Sequence, residues 1–438
     1  MPKLVTCSFC PTRRPDSKLR LMGDWIVRRV TVLWTGIVLL LLSGVSEAEN
    51  WARFRGPNGK GISTQKGIPV SWTDKDYKWK TPLPGLGHSS PCVWGNHVFV
   101  TSALDRGAVR LVISVDAASG KVLWTDRLAS RTHSKHSLNS YASGTPASDG
   151  KRVFVLFTTD EDTVVRAYDF AGKRLWQTDI GKFYNQHGHG CGTSPIVWRD
   201  TVIVASQHDG PSVIAGLDAA TGKIRWRSER KVKLTAHSTP VILEREGKTP
   251  QLFTSNTGDG LASFDPRNGK LLWRANLFTS RAVNSPFIAG DLVMAITGGG
   301  GRGKQLFSVS VDQAGEVGAD KVVWSGDRNL PYVPTPLVFG KHLYFWCDNG
   351  VVSCLDPKTG KAVWTERVGG KFWASPICID GKIYNISDKG EVIVIASGTT
   401  FKVLGKSQLG EQVHGTPAVA GGRMFLRGFE NLYCLEAK

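Results

Sequence analysis

The stretch Asp116–Trp124, which reads DAASGKVLW, decides the fold because near-copies of it recur along the chain. Three further compact copies lie at 218–226 (DAATGKIRW), 265–273 (DPRNGKLLW) and 356–364 (DPKTGKAVW). A shortened copy runs from 169 to 176, and a lengthened one from 312 to 324. In each compact copy, Asp and the Ser, Thr or Asn favour a turn, glycine supplies the positive φ that closes it, and the run up to Trp has a strand pattern. The phrase therefore predicts a repeated β-hairpin.

A second landmark, Ser or Thr followed by Pro and an apolar run, has a spacing of 40 to 55 residues. Proline fits the first residue of a strand, where its missing N–H breaks no ladder. Four short strands, which we call A to D, fit between one landmark and the next. A period of this length with four strands indicates a β-propeller blade. The eight landmark prolines are Pro91, Pro146, Pro195, Pro240, Pro286, Pro336, Pro376 and Pro417.

The two ends of the repeat array complete each other. Trp79 has no Asp-containing half before it, whereas 431–437 is such a half without its Trp. Leu404 takes the Trp position in a degenerate seventh copy. We therefore predict an all-β, eight-bladed propeller of four-stranded antiparallel blades, in which 77–80 supplies the outer strand of the last blade and removes its exposed edge.

The N-terminal region has the pattern of an export signal. Arg28 and Arg29 precede the apolar run 30–42, and 46–48 (SEA) is a small-x-small cleavage site. The run is shorter than the about 20 residues that a transmembrane helix needs, so we expect no membrane span in the mature chain. Met22 is an alternative start. We divide the chain into a signal at 1–48, a lead-in segment at 49–71 and the propeller at 72–438.

No lipobox cysteine ends this signal, because Val45 follows the LSG of 42–44. We expect an exported, monomeric protein of the periplasm, the cell envelope or the exterior. Removing the signal takes 7 of 55 Lys and Arg and 3 of 37 Asp and Glu, so 48 against 34 leaves a net charge of +14. No basic cluster is interleaved with aromatic residues, so we expect no nucleic-acid partner. The six remaining cysteines lack the spacing of a disulfide framework, and most are predicted to be buried thiols.

The repeated phrase, A-x-D-x-x-[ST]-G-K-x-x-W, resembles the tryptophan-docking repeat of the pyrroloquinoline quinone (PQQ)-like β-propeller superfamily over about residues 72–438. That superfamily includes quinoprotein alcohol dehydrogenases and BamB-type outer-membrane assembly lipoproteins, so the repeat implies the fold but no single function. The segments 51–59 (WARFRGPNG) and 139–146 (NSYASGTP) are similar to secreted PQQ-like repeat proteins of bacteria such as planctomycetes. The resemblance implies docking between blades for Trp79, Trp124, Trp176, Trp226, Trp273, Trp324 and Trp364.

The chain departs from the quinoprotein dehydrogenases of that superfamily. They carry adjacent cysteines over the cofactor and hold a calcium or lanthanide ion, whereas this chain has no Cys-Cys pair. A C-x-x-C-H haem attachment is also absent from the sequence. We expect no cofactor, and we keep PQQ or a divalent metal as the alternative.

Histidines indicate where binding takes place. Antiparallel blades put the B–C and D–A loops on one face, here called the top face, and eight of the ten histidines fall there. His88, His237 and His414 each stand three residues before a landmark proline, and Trp373 has the same place in its own blade. The candidate binding residues are His88, Tyr141, Tyr184, Asn185, His187, His189, His237, Arg281, Asn284, Trp373 and His414.

Two interpretations of this set stay open. Neutral imidazoles beside Cys191 suit a metal or ligand site, whereas a polar and aromatic rim suits a peptide, glycan or protein partner.

The segment 298–304 (GGGGRGK) matches a phosphate-loop spacing, but Gln305 replaces the Ser or Thr, so we predict a B–C hairpin loop instead. No nucleophile elbow or catalytic carboxylate pair is assigned.

These observations favour a non-catalytic, BamB-like binding scaffold for a protein or another envelope component. The alternative is a PQQ- or metal-dependent oxidoreductase that uses the top-face funnel. Enzymatic activity stays open at this stage, and no catalytic residue is named.

Overall fold

Each compact copy of the repeated phrase forms the turn between strands C and D of a blade. In the first copy, Asp116 Oδ1 accepts hydrogen bonds from the backbone N–H groups of Ala118 and Ser119 at 3.1 and 2.7 Å. Gly120 closes the turn with φ +75°. The aspartate and the glycine thus define the hairpin locally, which confirms the prediction from the phrase.

A computed structural model describes residues 49–299 and 302–438, which form an eight-bladed propeller of four-stranded antiparallel blades. The fold class predicted from the sequence is therefore confirmed. The export signal predicted at 1–48 lies outside the described residues.

Each blade contains strands A to D from the central channel outward. The strands of blades 1 to 4 are Cys92–Trp94, His97–Leu104, Val109–Asp116 and Val122–Ala129; Ala147–Ser148, Arg152–Thr158, Asp162–Asp169 and Arg174–Lys182; Ile196–Trp198, Thr201–Ser206, Gly210–Asp218 and Ile224–Val232; Val241–Leu243, Gln251–Asn256, Gly260–Phe264 and Leu271–Ala275. The strands of blades 5 to 8 are Phe287–Ala289, Leu292–Gly299, Arg302–Ser310 and Val322–Gly326; Leu337–Phe339, His342–Trp346, Val351–Leu355 and Ala362–Arg367; Ile377–Ile379, Lys382–Ile386, Glu391–Ala396 and Val403–Gln408; Ala418–Ala420, Arg423–Arg427, Asn431–Glu436 and Tyr77–Pro82.

The ring closes as the sequence predicts. Tyr77–Pro82 pairs antiparallel with Asn431–Glu436, with Trp79 opposite Cys434, so the last blade takes its outer strand from the start of the propeller. Two short strands extend other blades: Ile62–Ser63 runs parallel to strand A of blade 7, and Gly315–Glu316 runs parallel to strand D of blade 4. The 3-10 helices are Pro57–Gly59, Asp74–Asp76, Asp105–Gly107 and Ala319–Lys321.

The repeated tryptophans lie between neighbouring blades. The indole N–H of Trp176 donates to the carbonyl of Ala219 in the next blade at 3.1 Å, and its ring lies on Gly222. A Cβ on Gly222 would lie 2.5 Å from the ring, so this glycine both forms a turn and provides the surface on which the indole packs. The same indole-to-carbonyl bond is made by Trp79, Trp124, Trp176, Trp226, Trp273, Trp324 and Trp364.

The hydrophobic core is divided among the spaces between adjacent blades. Phe154 and Val165 of blade 2, for example, form one buried cluster with Val202 and Val204 of blade 3. The six cysteines among the described residues are free thiols, and all except Cys191 are buried, as predicted for most of them.

Candidate functional site

The top mouth of the channel opens into a funnel with a volume of about 600 Å³. Its wall is built where strand A of each blade begins, so the eight landmarks surround it. Phe54, from the lead-in segment, lines the funnel from below.

A ring of hydroxyl groups forms the narrow part of this funnel. In each blade, the backbone N–H of the Ser or Thr before the landmark proline donates to the side-chain oxygen of its counterpart in the next blade, at 2.9 to 3.3 Å. The ring closes from Thr416 to Ser90. A buried backbone N–H needs an acceptor, and here the hydroxyl oxygen from the next blade supplies it. Its members are Ser90, Thr145, Ser194, Thr239, Ser285, Thr335, Ser375 and Thr416.

A second ring lies two residues earlier in each blade and carries the varied chemistry. All eight of its positions line the funnel, including the four that the sequence singled out. Because the repeat holds the backbone constant here, differences among these side chains determine what the funnel can bind. The members are His88, Ser143, Gly192, His237, Val283, Val333, Trp373 and His414.

One histidine cluster joins blades 1 and 8. The Nδ1 atoms of His88 and His414 lie 3.2 Å apart, and both rings pack on Phe429 with centroids at 4.8 and 5.0 Å. Burial lowers the pKa of His414 to about 4. Burial, followed by the charge of His414, holds the pKa of His88 well below its usual value. Both imidazoles are therefore neutral at pH 7, so one Nδ1 can donate to the other.

A second cluster is formed by the loops that lead into blades 2 to 5. The rings of His136 and His189 stack with centroids 5.7 Å apart, and His189 Nδ1 lies 3.4 Å from Arg281 Nη2. Arg281 is held in place because its Nε donates to the carbonyl of Thr235 at 2.7 Å. Desolvation, then the charge of Arg281, lowers the pKa of His237 to about 3. His237 is thus a neutral hydrogen-bonding group, and it lies near the fixed guanidinium of Arg281.

The funnel carries an excess of positive charge. Its carboxylate Asp348 is engaged by Lys304 Nζ at 2.9 Å and by the backbone N–H groups of Tyr332 and Val333 at 2.8 and 2.9 Å. Arg281 and Lys371 also line the funnel, and neither forms an ion pair with a carboxylate of the described residues. These two cations are therefore available to an anionic ligand.

Six of the eleven candidate residues named from the sequence line the funnel, and the other five lie elsewhere. The six are His88, His189, His237, Arg281, Trp373 and His414. Asn284 is buried and donates to the carbonyl of Pro331, and Tyr141 donates to the carbonyl of His133. Tyr184, Asn185 and His187 belong to the D–A loop outside the funnel, where His187 Nδ1 lies 3.1 Å from Asp209.

Sequence reasoning did not select several residues that line the funnel: Phe54, Leu138, Asp348, Lys371 and the hydroxyl ring. For the ring a signal was present, since Ser or Thr precedes every landmark proline. Lys304 comes from the glycine-rich segment, whose described parts lie in the B–C hairpin of blade 5, as predicted.

Within 49–299 and 302–438, no three His, Cys, Asp or Glu side chains are placed to share a metal ion. In the same part of the chain, no helix has the length and apolar character needed to cross a membrane.

Comparisons with known proteins agree with the fold. A family model described as outer membrane protein assembly factor BamB matches residues 108–345, 314–402 and 348–438. The chain is 25% identical over 284 residues to the BamB of Yersinia pestis, covering 60% of this chain and 66% of that protein. It is also 25% identical over 318 residues to a polyvinylalcohol dehydrogenase of Pseudomonas sp, covering 66% of this chain and 46% of that protein. The chain thus spans less than two thirds of the length of these curated relatives.

A solved structure with the same architecture is that of the quinohemoprotein alcohol dehydrogenase from Comamonas testosteroni. It has a TM-score of 0.63 at 13% identity, covering 95% of this chain and 82% of that one. At this identity the likeness shows the fold alone.

Proposed function

Since this chain belongs to the family of the outer membrane protein assembly factor BamB, whose members are PQQ-repeat β-propellers, we propose that it is a binding scaffold whose funnel receives a segment of a partner protein. The observation that carries this proposal is the funnel itself. Ligand sites are typically concave, largely apolar pockets of about 300–1,000 Å³ with a few convergent polar groups. The funnel, at about 600 Å³, combines Phe54, Val283, Val333 and Trp373 with neutral histidines and two cations.

The charges of the funnel select the chemistry of the partner. Arg281 and Lys371 face a space in which the carboxylate of the described lining residues, Asp348, is already bound by Lys304. A segment with an acidic side chain or a free carboxylate would pair with these cations, while its apolar side chains pack on Trp373 and Phe54. The proposed partner is therefore an acidic polypeptide segment with apolar residues.

The test is peptide selection followed by matched variants. Peptides selected from a random library on the wild-type protein are titrated calorimetrically against Trp373→Ala, Lys371→Gln and the control Arg131→Gln. Arg131 is an arginine of a top-face loop with 78% of its side chain exposed, and it does not line the funnel. We expect Trp373→Ala to weaken binding about 30-fold, as for a buried aromatic anchor.

Lys371→Gln should weaken binding about twofold to fivefold, because an exposed cation contributes less. Arg131→Gln should leave binding unchanged. Selected peptides without enrichment in acidic residues, or with equal affinity for wild type and Trp373→Ala, would refute the proposal.

A quinone-dependent oxidoreductase is the second candidate, and the same funnel favours it. Trp373 offers a flat surface for a planar ring, and Arg281 and Lys371 could pair with the carboxylates of PQQ. The residues therefore suit the quinone, which would supply the redox chemistry. For the metal ion that accompanies PQQ in such enzymes, the described part of the chain provides no group of three His, Cys, Asp or Glu side chains. The native mass and absorption spectrum of protein from a PQQ-producing host separate the two candidates, since one bound quinone would favour the enzyme.

Export to the cell envelope is part of the proposal. The family match to an outer membrane assembly factor and the signal pattern before residue 49 support it. Cell fractionation with intact-mass measurement tests it: we expect an envelope protein that begins near Glu49, and a full-length cytoplasmic product would contradict the proposal.

A further inference from the structure

The segment Trp51–Gly61 covers the bottom mouth of the channel, on the face opposite the funnel. Trp51 exchanges backbone hydrogen bonds with Val93 in blade 1 at 2.9 and 2.8 Å, and the carbonyl of Ala52 accepts from Ser148 in blade 2 at 2.8 Å. Farther along, Asn58 donates to the carbonyl of Ile242 in blade 4. The carbonyl of Gly61 accepts from a backbone N–H of blade 7 at 2.7 Å. The segment is therefore fixed to blades 1, 2, 4 and 7, so it crosses the channel.

Two arginines of this segment line a second cavity, on the bottom face, of about 710 Å³. Arg53 and Arg55 alternate with Phe54, which lines the funnel instead. Only 6% of Arg53 and 2% of Arg55 is exposed. The alternation thus puts an apolar ring towards one mouth of the channel and two guanidinium groups towards the other.

These two guanidinium groups have no carboxylate partner among residues 49–299 and 302–438. Arg53 donates through Nη2 to the carbonyl of Pro240 at 2.7 Å, and Arg55 through Nη2 to the carbonyl of Pro376 at 3.3 Å. The Nε atom of each is buried without a hydrogen-bond partner, and neither forms an ion pair with a carboxylate of the described residues. Burial lowers the pKa of both to about 9. Buried charges in proteins are normally paired, so two neighbouring buried guanidinium groups without a carboxylate partner favour the binding of an anion.

Two glycines make space for the guanidinium groups of Arg53 and Arg55, and a lysine between the glycines adds a third positive charge. A Cβ on Gly61 would lie 2.9 Å from Arg55 Nη2, and a Cβ on Gly59 would lie 3.2 Å from Arg53 Nη2. The exposed Lys60 stands between these glycines and lines the same cavity.

The acidic residue that lines this cavity, Glu244, is paired with Arg199 at 3.0 Å. It therefore does not neutralise the buried arginines. The remaining wall is mainly apolar and includes Ile242, Ile288 and Val338.

We propose that the bottom-face cavity binds an oxyanion, a carboxylate or a phosphate group, between Arg53 and Arg55, with Lys60 at its edge. The planar fork of an arginine matches both kinds of oxyanion with two parallel hydrogen bonds. The apolar wall accommodates a non-polar body attached to the anion. This site is separate from the funnel, so either proposal can fail without the other.

The experiment titrates purified protein with sodium phosphate, sodium hexanoate or sodium chloride at equal ionic strength and follows calorimetric heat and the melting temperature. A ligand that binds the native state raises the melting temperature in a saturable way. We expect this for phosphate, hexanoate or both, and not for chloride. Phosphate alone would identify a phosphate-type ligand, and hexanoate alone a carboxylate; both results support the site.

Matched variants assign the effect to the cavity. We expect Arg53→Gln and Arg55→Gln to weaken the affinity at least about tenfold, since each removes a hydrogen bond to a charged group. Lys60→Gln, an exposed change that is safe for folding, should weaken it about twofold to fivefold. The control variant Arg131→Gln, at an exposed arginine that lines neither the funnel nor this cavity, should leave it unchanged. A shift no larger than that of chloride, or wild-type affinity in all three cavity variants, would overturn the proposal.

Discussion

Replacing Gly222 with alanine tests whether the contact between glycine and tryptophan holds neighbouring blades together. Gly222 has φ +72°, and a Cβ there would lie 2.5 Å from Cδ2 of Trp176 and 2.8 Å from Oγ1 of Thr178. Neither neighbour moves freely, because the Trp176 indole is tied to Ala219 and the Thr178 hydroxyl donates to the carbonyl of Gly222 at 2.8 Å. The added methyl group must therefore push the two blades apart.

The expected loss has two components. A non-glycine residue in the left-handed region costs about 1–2 kcal/mol. Overpacking a closed contact costs a further ~1–3 kcal/mol, which gives about 2–5 kcal/mol for Gly222→Ala. Gly247 is the matched control, because it has φ +67° and a Cβ added to it would meet nothing within 4 Å. Gly247→Ala should therefore show the first component alone, about 1–2 kcal/mol.

Urea unfolding followed by tryptophan fluorescence measures both variants. We expect the midpoint of Gly222→Ala to lie below that of Gly247→Ala by the equivalent of about 1–3 kcal/mol. Trp176→Leu removes the ring that the added methyl group would contact. In the double variant, the losses of unfolding free energy from Gly222→Ala and Trp176→Leu should therefore not be additive, and the difference should be at least about 0.5 kcal/mol. Equal midpoints for the two alanine variants would refute the docking argument.

Three further predictions concern the channel and the thiols. Burial lowers the pKa of His414 from 6.5 to about 4, so between these pH values the unfolded chain binds a proton that the native state does not. Stability should therefore fall as the pH drops from 6.5 towards 4. Urea midpoints across this range should depend less on pH for His414→Gln than for wild type, and an unchanged slope would contradict the assignment. Thr239→Val removes the acceptor of the Ser194 N–H at 3.2 Å and should cost about 1–3 kcal/mol in the same assay, whereas Thr239→Ser should cost less. Desolvation raises the pKa of the half-buried Cys191 thiol to about 11, and the other five thiols of residues 49–438 are buried. Ellman's reagent should therefore label none of these six thiols rapidly at pH 7.5 until urea is added, and a fast native phase would disprove this.

The repeat made the fold predictable because its information is local. The Asp116 turn, the positive φ of Gly120 and the strand that ends the phrase all lie within nine residues. Ring closure was predictable for a related reason, since the half-repeats at 77–80 and 431–437 need each other as strand partners.

The candidate site was predicted only where the repeat itself carries it. The positions of His88, His237, Trp373 and His414 follow from their fixed distance to the landmark prolines, and all four line the funnel. Asn284, by contrast, is buried. Its burial was not predicted, because the sequence of a loop does not show which way its side chains point. The residues of the hydroxyl ring are recognisable in the sequence as the Ser or Thr before each landmark proline. Their role could not be predicted, because the N–H of each donates to the hydroxyl of the next blade.

Spacing along the chain thus determines blade number, strand order, the interblade tryptophans and the ring of variable side chains, because each depends on hydrogen bonds and packing within one repeat or between neighbouring repeats. The arrangement of Phe54 under the funnel and of Arg53 and Arg55 in the bottom cavity is decided by contacts with blades up to 321 residues away. Such contacts leave no periodic trace in a sequence, since the segment that makes them occurs once. Only the closed ring brings that segment across the channel and buries its two arginines without a carboxylate partner among the described residues.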